Sequence, residues 1–172
     1  WATYNGDHMS MYAVNSSIPK TLVRYLVNYY AEISKGKLAA VLKDVLDTPV
    51  SPELLPSEKG KDSEQKTEDI VGPYILHDFF LYNNIKNGYS PSKIFYIAKR
   101  TFDGQFDEKT ILKWLKTYFK RFFTQQFKRS CMPDGIKVGA VTLSPRGSWR
   151  MPSDAVSRLW LKEIERIEKN IN

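Results

Sequence analysis

Seven apolar side chains, Ile111, Leu112, Leu115, Tyr118, Phe119, Phe122 and Phe123, recur at the spacing of one helix face. A stripe that wide has to be covered by the rest of the fold. The interleaved lysines fall on the opposite face. Asp107 stands where a side chain accepts from first-turn N–H groups, so a helix is predicted over Glu108–Phe127. Pro19 opens an earlier helix carrying Leu22, Val23, Leu26, Val27, Tyr30 and Ile33, which Gly36 ends. Shorter helices are expected over Lys37–Leu46, from Asp69 or Pro73 to Asn87, and after the Ser90 cap and first-turn Pro91. A last helix, capped by Ser153 or Asp154, directs Val156, Trp160, Ile164 and Ile167 inward. Met9–Asn15 alternates loosely and reads as a strand. The expected class is mainly α, with a short strand region at the N-terminus.

At 172 residues the chain fits one domain with a real core, and no apolar run approaches the ~18 residues that span a bilayer. It begins with Trp and reads at once as domain interior, so a fragment of a longer protein is expected. The single Cys131 forms no internal disulfide, which fits a reducing, cytoplasmic compartment. One Cys and two distant His are too few for a zinc site. No glycine-rich phosphate loop, nucleophile–base pair or carboxylate dyad stands out. The adjacent His77 and Asp78 read as hydrogen-bonded structural residues more readily than as an acid–base pair.

Two irregular stretches remain. Thr48–Pro56 holds three prolines and is followed by a Ser/Glu/Lys/Asp-rich run to Asp69 with almost nothing to bury, so a mobile loop is expected. It serves either as a lid that orders over a ligand or as an inert surface loop. Gln125–Asp154 reads as neither helix nor strand, and its Lys128, Arg129, Lys137, Arg146 and Arg150 face only Asp134. From Lys109 to Arg150 there are ten Lys/Arg and one acid, +9 against +7 for the whole chain. Such a local field suggests phosphates, of nucleotides or of nucleic acid, or else a solvated helix face. Lys20 sits in the first turn of its helix, the end that disfavours cations. Either an anion lies between it and the exposed N–H groups, or its stem snorkels along the surface.

A set of motifs goes further. Trp1–Ser10, Val14-Asn15 through Pro19-Lys20-Thr21-Leu22, Thr48–Pro56, and Val71-Gly72-Pro73-Tyr74 with Asp78-Phe79 come first. Ser90-Pro91-Ser92-Lys93-Ile94, Arg121-Phe122-Phe123 through Phe127-Lys128-Arg129-Ser130, and Pro133-Asp134-Gly135 come next. Leu143-Ser144-Pro145-Arg146-Gly147 and Trp149–Asp154 close the set. In this order they resemble the synthetase domain of the long, glutamine-dependent bacterial NAD synthetases, across essentially the whole chain.

That resemblance implies the C-terminal part of an α/β Rossmann-like adenine-nucleotide α-hydrolase (PP-loop) domain. Residues 1–17 would end the nucleotide-binding core. Residues 18–172 would be mainly helical, with the mobile loop at 48–69 and the basic loop at 125–154. It implies a ligase that adenylates deamido-NAD with ATP and amidates it with ammonia from a glutaminase domain of the same full-length chain. Trp1, Thr3, Tyr4, Asp7 and Lys128 match positions that bind deamido-NAD. Lys20 and Ser51 match positions that reach ATP phosphates, which favours the lid. Phe127 replaces the His of short-form relatives and loses a hydrogen-bonding nitrogen. The Mg2+ ligands, the pyrophosphate loop and the glutaminase residues are expected upstream of Trp1. No catalytic or metal residue is therefore assigned here, and the fragment alone is expected to be inactive. The resemblance also implies a homodimer or higher homo-oligomer, with no nucleic-acid or membrane partner. The alternative is a helical phosphate- or nucleic-acid-binding module without catalysis.

Overall fold

The computed structural model describes residues 12–48, 67–146 and 148–171. These hold eight helices: α1 Lys20–Ile33, α2 Lys37–Asp47, α3 Thr67–Val71, α4 Tyr74–Ile85, α5 Pro91–Thr101, α6 Glu108–Thr124, α7 Gln126–Ser130 and α8 Arg158–Ile171. None is long and apolar enough to cross a membrane. The chain divides into two compact units, Pro19–Asp78 and the residues flanking it on either side, and the division falls within α4.

In the larger unit α5, α6 and α8 pack against one another. The α6 stripe is its centre: Ile111, Leu112, Leu115, Tyr118, Phe119, Phe122 and Phe123 are all buried. Ile94 and Ala98 of α5 and Ile164 of α8 close over them, and Phe80 of α4 packs its ring 5.9 Å from that of Tyr118. The start of α6 follows from local chemistry, since the Asp107 carboxylate accepts from the Thr110 N–H at 2.6 Å. At the other end the expected helix to Phe127 breaks at Gln125, and a separate short α7 follows. The basic stretch from Gln125 is thus helical over its first turns.

The last helix also differs from expectation. It starts at Arg158, and Val156 lies before it, exposed. Ile164 is buried as predicted, with Trp160 and Ile167 partly so. Of the strand expected over Met9–Asn15, residues 9–11 lie outside the described residues. The rest contributes one parallel bridge, Tyr12 to Asp134, and then a turn.

In the smaller unit α1 packs on α2. The apolar periodicity of both helices is real, but Leu22, Leu26, Tyr30, Ile33, Leu38, Val41 and Val45 are exposed. Among the described residues of this unit, α1, α2, α3 and the start of α4 leave both stripes partly uncovered. Of the mobile loop expected over 48–69, residues 49–66 lie outside the described residues; at its end α3 begins at Thr67, so residues 67–69 are helical.

Candidate functional site: the cationic turn around Lys128

α7 is five residues long, too short to persist on its own local bonds. Two polar side chains on its inner face hold it. Gln126 is 1% exposed and donates from Nε2 to the Met151 carbonyl at 2.9 Å. Arg129, fully buried, donates from Nε to Gln126 Oε1 at 2.8 Å and from Nη2 to the Phe122 carbonyl. Its guanidinium also stacks on the Phe122 ring, 4.3 Å from the centroid. The Phe122 carbonyl belongs to the last turn of α6, where oxygens lack intrahelical donors and the dipole favours a cation. Burial brings the Arg129 pKa down to about 10, opposed by the Tyr118 phenol, so the group stays charged at neutral pH.

The outer face carries Phe127 and Lys128, both exposed, with the Lys128 Nζ 6.0 Å from the Phe127 ring centroid. Two adjacent cations are therefore sorted by the helix: Arg129 inward as a brace, Lys128 outward and available. Beyond α7, Arg146 pairs with the Asp134 carboxylate and donates to the Met132 carbonyl. Arg150 makes a long contact from Nη2 to the Arg146 carbonyl. The Cys131 thiol is exposed.

The loop that follows is tied to the residues before α1. The Ala13 N–H donates to the Asp134 carbonyl at 2.7 Å. The buried Ser17 hydroxyl donates to the Ile136 carbonyl at 3.0 Å and accepts from the Val138 N–H at 2.8 Å. Gly135 sits where these strands of chain cross. A Cβ there would lie 2.2 Å from the Ala13 carbonyl oxygen and 2.3 Å from the Ser16 Oγ.

Several charges of the basic window are committed within the fold. Lys116 pairs with Glu168 at 2.9 Å, Arg146 with Asp134, and Arg129 is internal. What remains at the surface is a smaller field than the count of Lys and Arg predicts.

Lys20 belongs to the other unit. It is exposed, with Nζ 6.0 Å from the Tyr74 ring centroid. The Asp78 carboxylate accepts from the Thr21 N–H at 3.0 Å and from its hydroxyl at 2.6 Å. The N-terminus of α1 thus carries an anion supplied by the protein itself, a partnership that sequence spacing did not reveal. His77 bonds through a ring nitrogen to the Val71 carbonyl, so both residues of the His77-Asp78 pair have structural partners. Trp1, Thr3, Tyr4, Asp7 and Ser51 lie outside the described residues.

No group of three or more His, Cys, Asp or Glu that could hold a metal ion exists among the described residues. The described residues therefore offer no clustered donor set for Mg2+. Two surface grooves run along α8, one lined by Ser92, Lys162, Glu163 and Arg166, the other by Lys109, Lys113 and Glu168. None of the predicted site residues lines either.

The described residues form a mainly helical segment that presents an exposed lysine on a braced turn. Comparison with known proteins shows what kind of chain such a segment resembles. Over 96% of its length it is 40% identical to the glutamine-dependent NAD(+) synthetase of Mycobacterium leprae. It is 39% identical, over the same share, to that of Mycobacterium tuberculosis strain H37Rv. The chain spans 27% of the length of these relatives, so it matches a segment of the glutamine-dependent NAD(+) synthetases. A crystal structure of such a synthetase from Cytophaga hutchinsonii has the same fold over 94% of this chain and 24% of its own, with a TM-score of 0.63 at 16% identity. No family model matches.

Proposed function

We propose that this chain is the C-terminal part of the synthetase domain of a glutamine-dependent NAD synthetase, a cytoplasmic ATP-dependent carbon–nitrogen ligase. The observation that carries the reading is the 40% identity to such a synthetase over 96% of the chain. In this reading the described residues complete an α/β Rossmann-like domain whose nucleotide-binding core ends at residues 1–17.

The reaction joins ammonia to the nicotinate carboxylate of deamido-NAD. A carboxylate is a poor electrophile. ATP transfers AMP to its oxygen and releases pyrophosphate; ammonia from the glutaminase domain then attacks the acyl carbon and expels AMP. Lys128 offers a point charge to the dinucleotide from a turn whose direction is set by buried contacts. Trp1, Thr3, Tyr4 and Asp7 add to the deamido-NAD site, with the aromatic rings suited to stacking. Lys20 and Ser51 reach the ATP phosphates, and the loop at 48–69 closes over them. Mg2+ ligands and the second half of the site come from elsewhere in the protein and from a partner subunit of a homo-oligomer.

The test is turnover by the full-length protein with deamido-NAD, ATP and glutamine. Formation of NAD, AMP and pyrophosphate in equal amounts is expected. Its absence, with salt-sensitive binding to DNA in its place, overturns the reading in favour of a nucleic-acid module.

A further inference from the structure

Lys128 and Arg129 are neighbours with opposite fates, one exposed and one fully buried. A buried guanidinium is costly to desolvate, and a well-packed apolar side chain would often serve stability as well or better. Its contacts indicate another use. Within α7 the inward pair Gln126 and Arg129 are three residues apart, on one helix face. Arg129 joins this face to the last turn of α6 through the Phe122 carbonyl and ring, and Gln126 joins it to Met151. Ser130 adds bonds to the Gln126 carbonyl at 3.2 Å and to Ser153 Oγ at 3.3 Å. Trp149 packs against the same Phe122 ring, with centroids 5.4 Å apart. Between Gln126 and Arg129, Phe127 and Lys128 are exposed.

We propose that Arg129 is a positioning residue: its buried bonds to Phe122 and Gln126 lock α7 so that Lys128 leaves the surface in one direction, toward the dinucleotide. This rests on the reading above that Lys128 binds deamido-NAD. A flexible lysine on an unbraced turn would lose conformational freedom at each binding event, whereas a fixed helix confines that loss to the side chain.

The experiment is a double-mutant cycle in the full-length synthetase, with Arg129→Lys, Lys128→Ala and the combination. Lysine at 129 keeps the charge but lacks the planar fork. Arg129→Lys is expected to raise the KM for deamido-NAD about tenfold, the loss of one bond to a charged group, and to leave the KM for ATP unchanged. In the Lys128→Ala background it should add almost nothing, because the residue it positions is gone. Equal effects on both substrates, or full additivity with Lys128→Ala, overturn the proposal and leave Arg129 a packing residue. If Lys128→Ala alone leaves the KM for deamido-NAD unchanged, the role of Lys128 itself fails, and the positioning role falls with it. Should Arg129→Lys not fold, Gln126→Leu enters the same cycle. It removes the acceptor of the Arg129 Nε and keeps the guanidinium, with the same outcomes expected.

Discussion

Replacing Gly135 by Ala tests how the loop after α7 is seated. The new methyl group would lie 2.2 Å from the Ala13 carbonyl oxygen and 2.3 Å from the Ser16 Oγ. Backbone cannot step aside as a side-chain tip can, so residues 13–16 and the loop must part. Overpacking of this kind costs about 1–3 kcal/mol, and each neutral hydrogen bond released costs about 0.5–1.5 kcal/mol. The bond most exposed to the displacement is Ala13 N–H to the Asp134 carbonyl, 2.7 Å, with the two bonds of Ser17 beside it. The expected loss is about 2–4 kcal/mol. At a urea slope of about 2 kcal/mol per molar, the midpoint falls by about 1–2 M. Amide exchange at Ala13 and Val138 should accelerate most, since those N–H groups span the crossing. Gly139→Ala is the control: its Cβ would meet the Ser17 carbonyl oxygen at 3.3 Å, which a shift of tenths of an ångström relieves. A Gly135→Ala protein within about 0.5 kcal/mol of the parent, with unchanged exchange at Ala13, would refute the reasoning.

Three further outcomes are expected. Asp107→Ala should lower the melting temperature at neutral pH. Hydrogen bonds from Thr110 hold the Asp107 pKa below the usual carboxylate value. Its contribution is therefore present above the unfolded-state pKa and lost as pH falls through the folded one, so the two melting curves should converge in acid. Burial raises the Tyr118 phenol well above its ordinary value, partly offset by the hydrogen bond from Asn84 and the charge of Arg129. In an ultraviolet titration, one of the ten tyrosines should ionise only as the protein unfolds. The stability Tyr118 contributes is complete below pH ~10 and declines above it; Tyr118→Phe should remove that alkaline step. Lys20→Ala in the full-length protein should raise the KM for ATP and spare that for deamido-NAD, measured by initial rates with each substrate varied.

Much of the fold was legible because its signals are local. The α6 stripe, the Asp107 cap and the Ser90-Pro91 start each depend on residues within a turn or two of one another. Helix ends were less so. The break at Gln125 and the late start of α8 depend on Gln126 reaching Met151 and on α8 packing against α5 and α6, across separations that periodicity does not register. The exposed stripes of α1 and α2 show the converse, since an amphipathic pattern states that a face is apolar and leaves open what covers it.

The cationic turn divides in the same way. Sequence by itself determined that a run of Lys and Arg follows a long amphipathic helix, and the order of motifs around it pointed to a dinucleotide ligand. Only the tertiary structure decided which cation is available. Lys128 and Arg129 differ by one residue, or about 100° of helix rotation, and that angle matters only once α6 lies on one side and solvent on the other. The same holds for Gly135, an ordinary turn glycine in sequence, where any Cβ would press on the Ala13 carbonyl. Charge and periodicity are properties of the chain. Burial is a property of what the chain packs against.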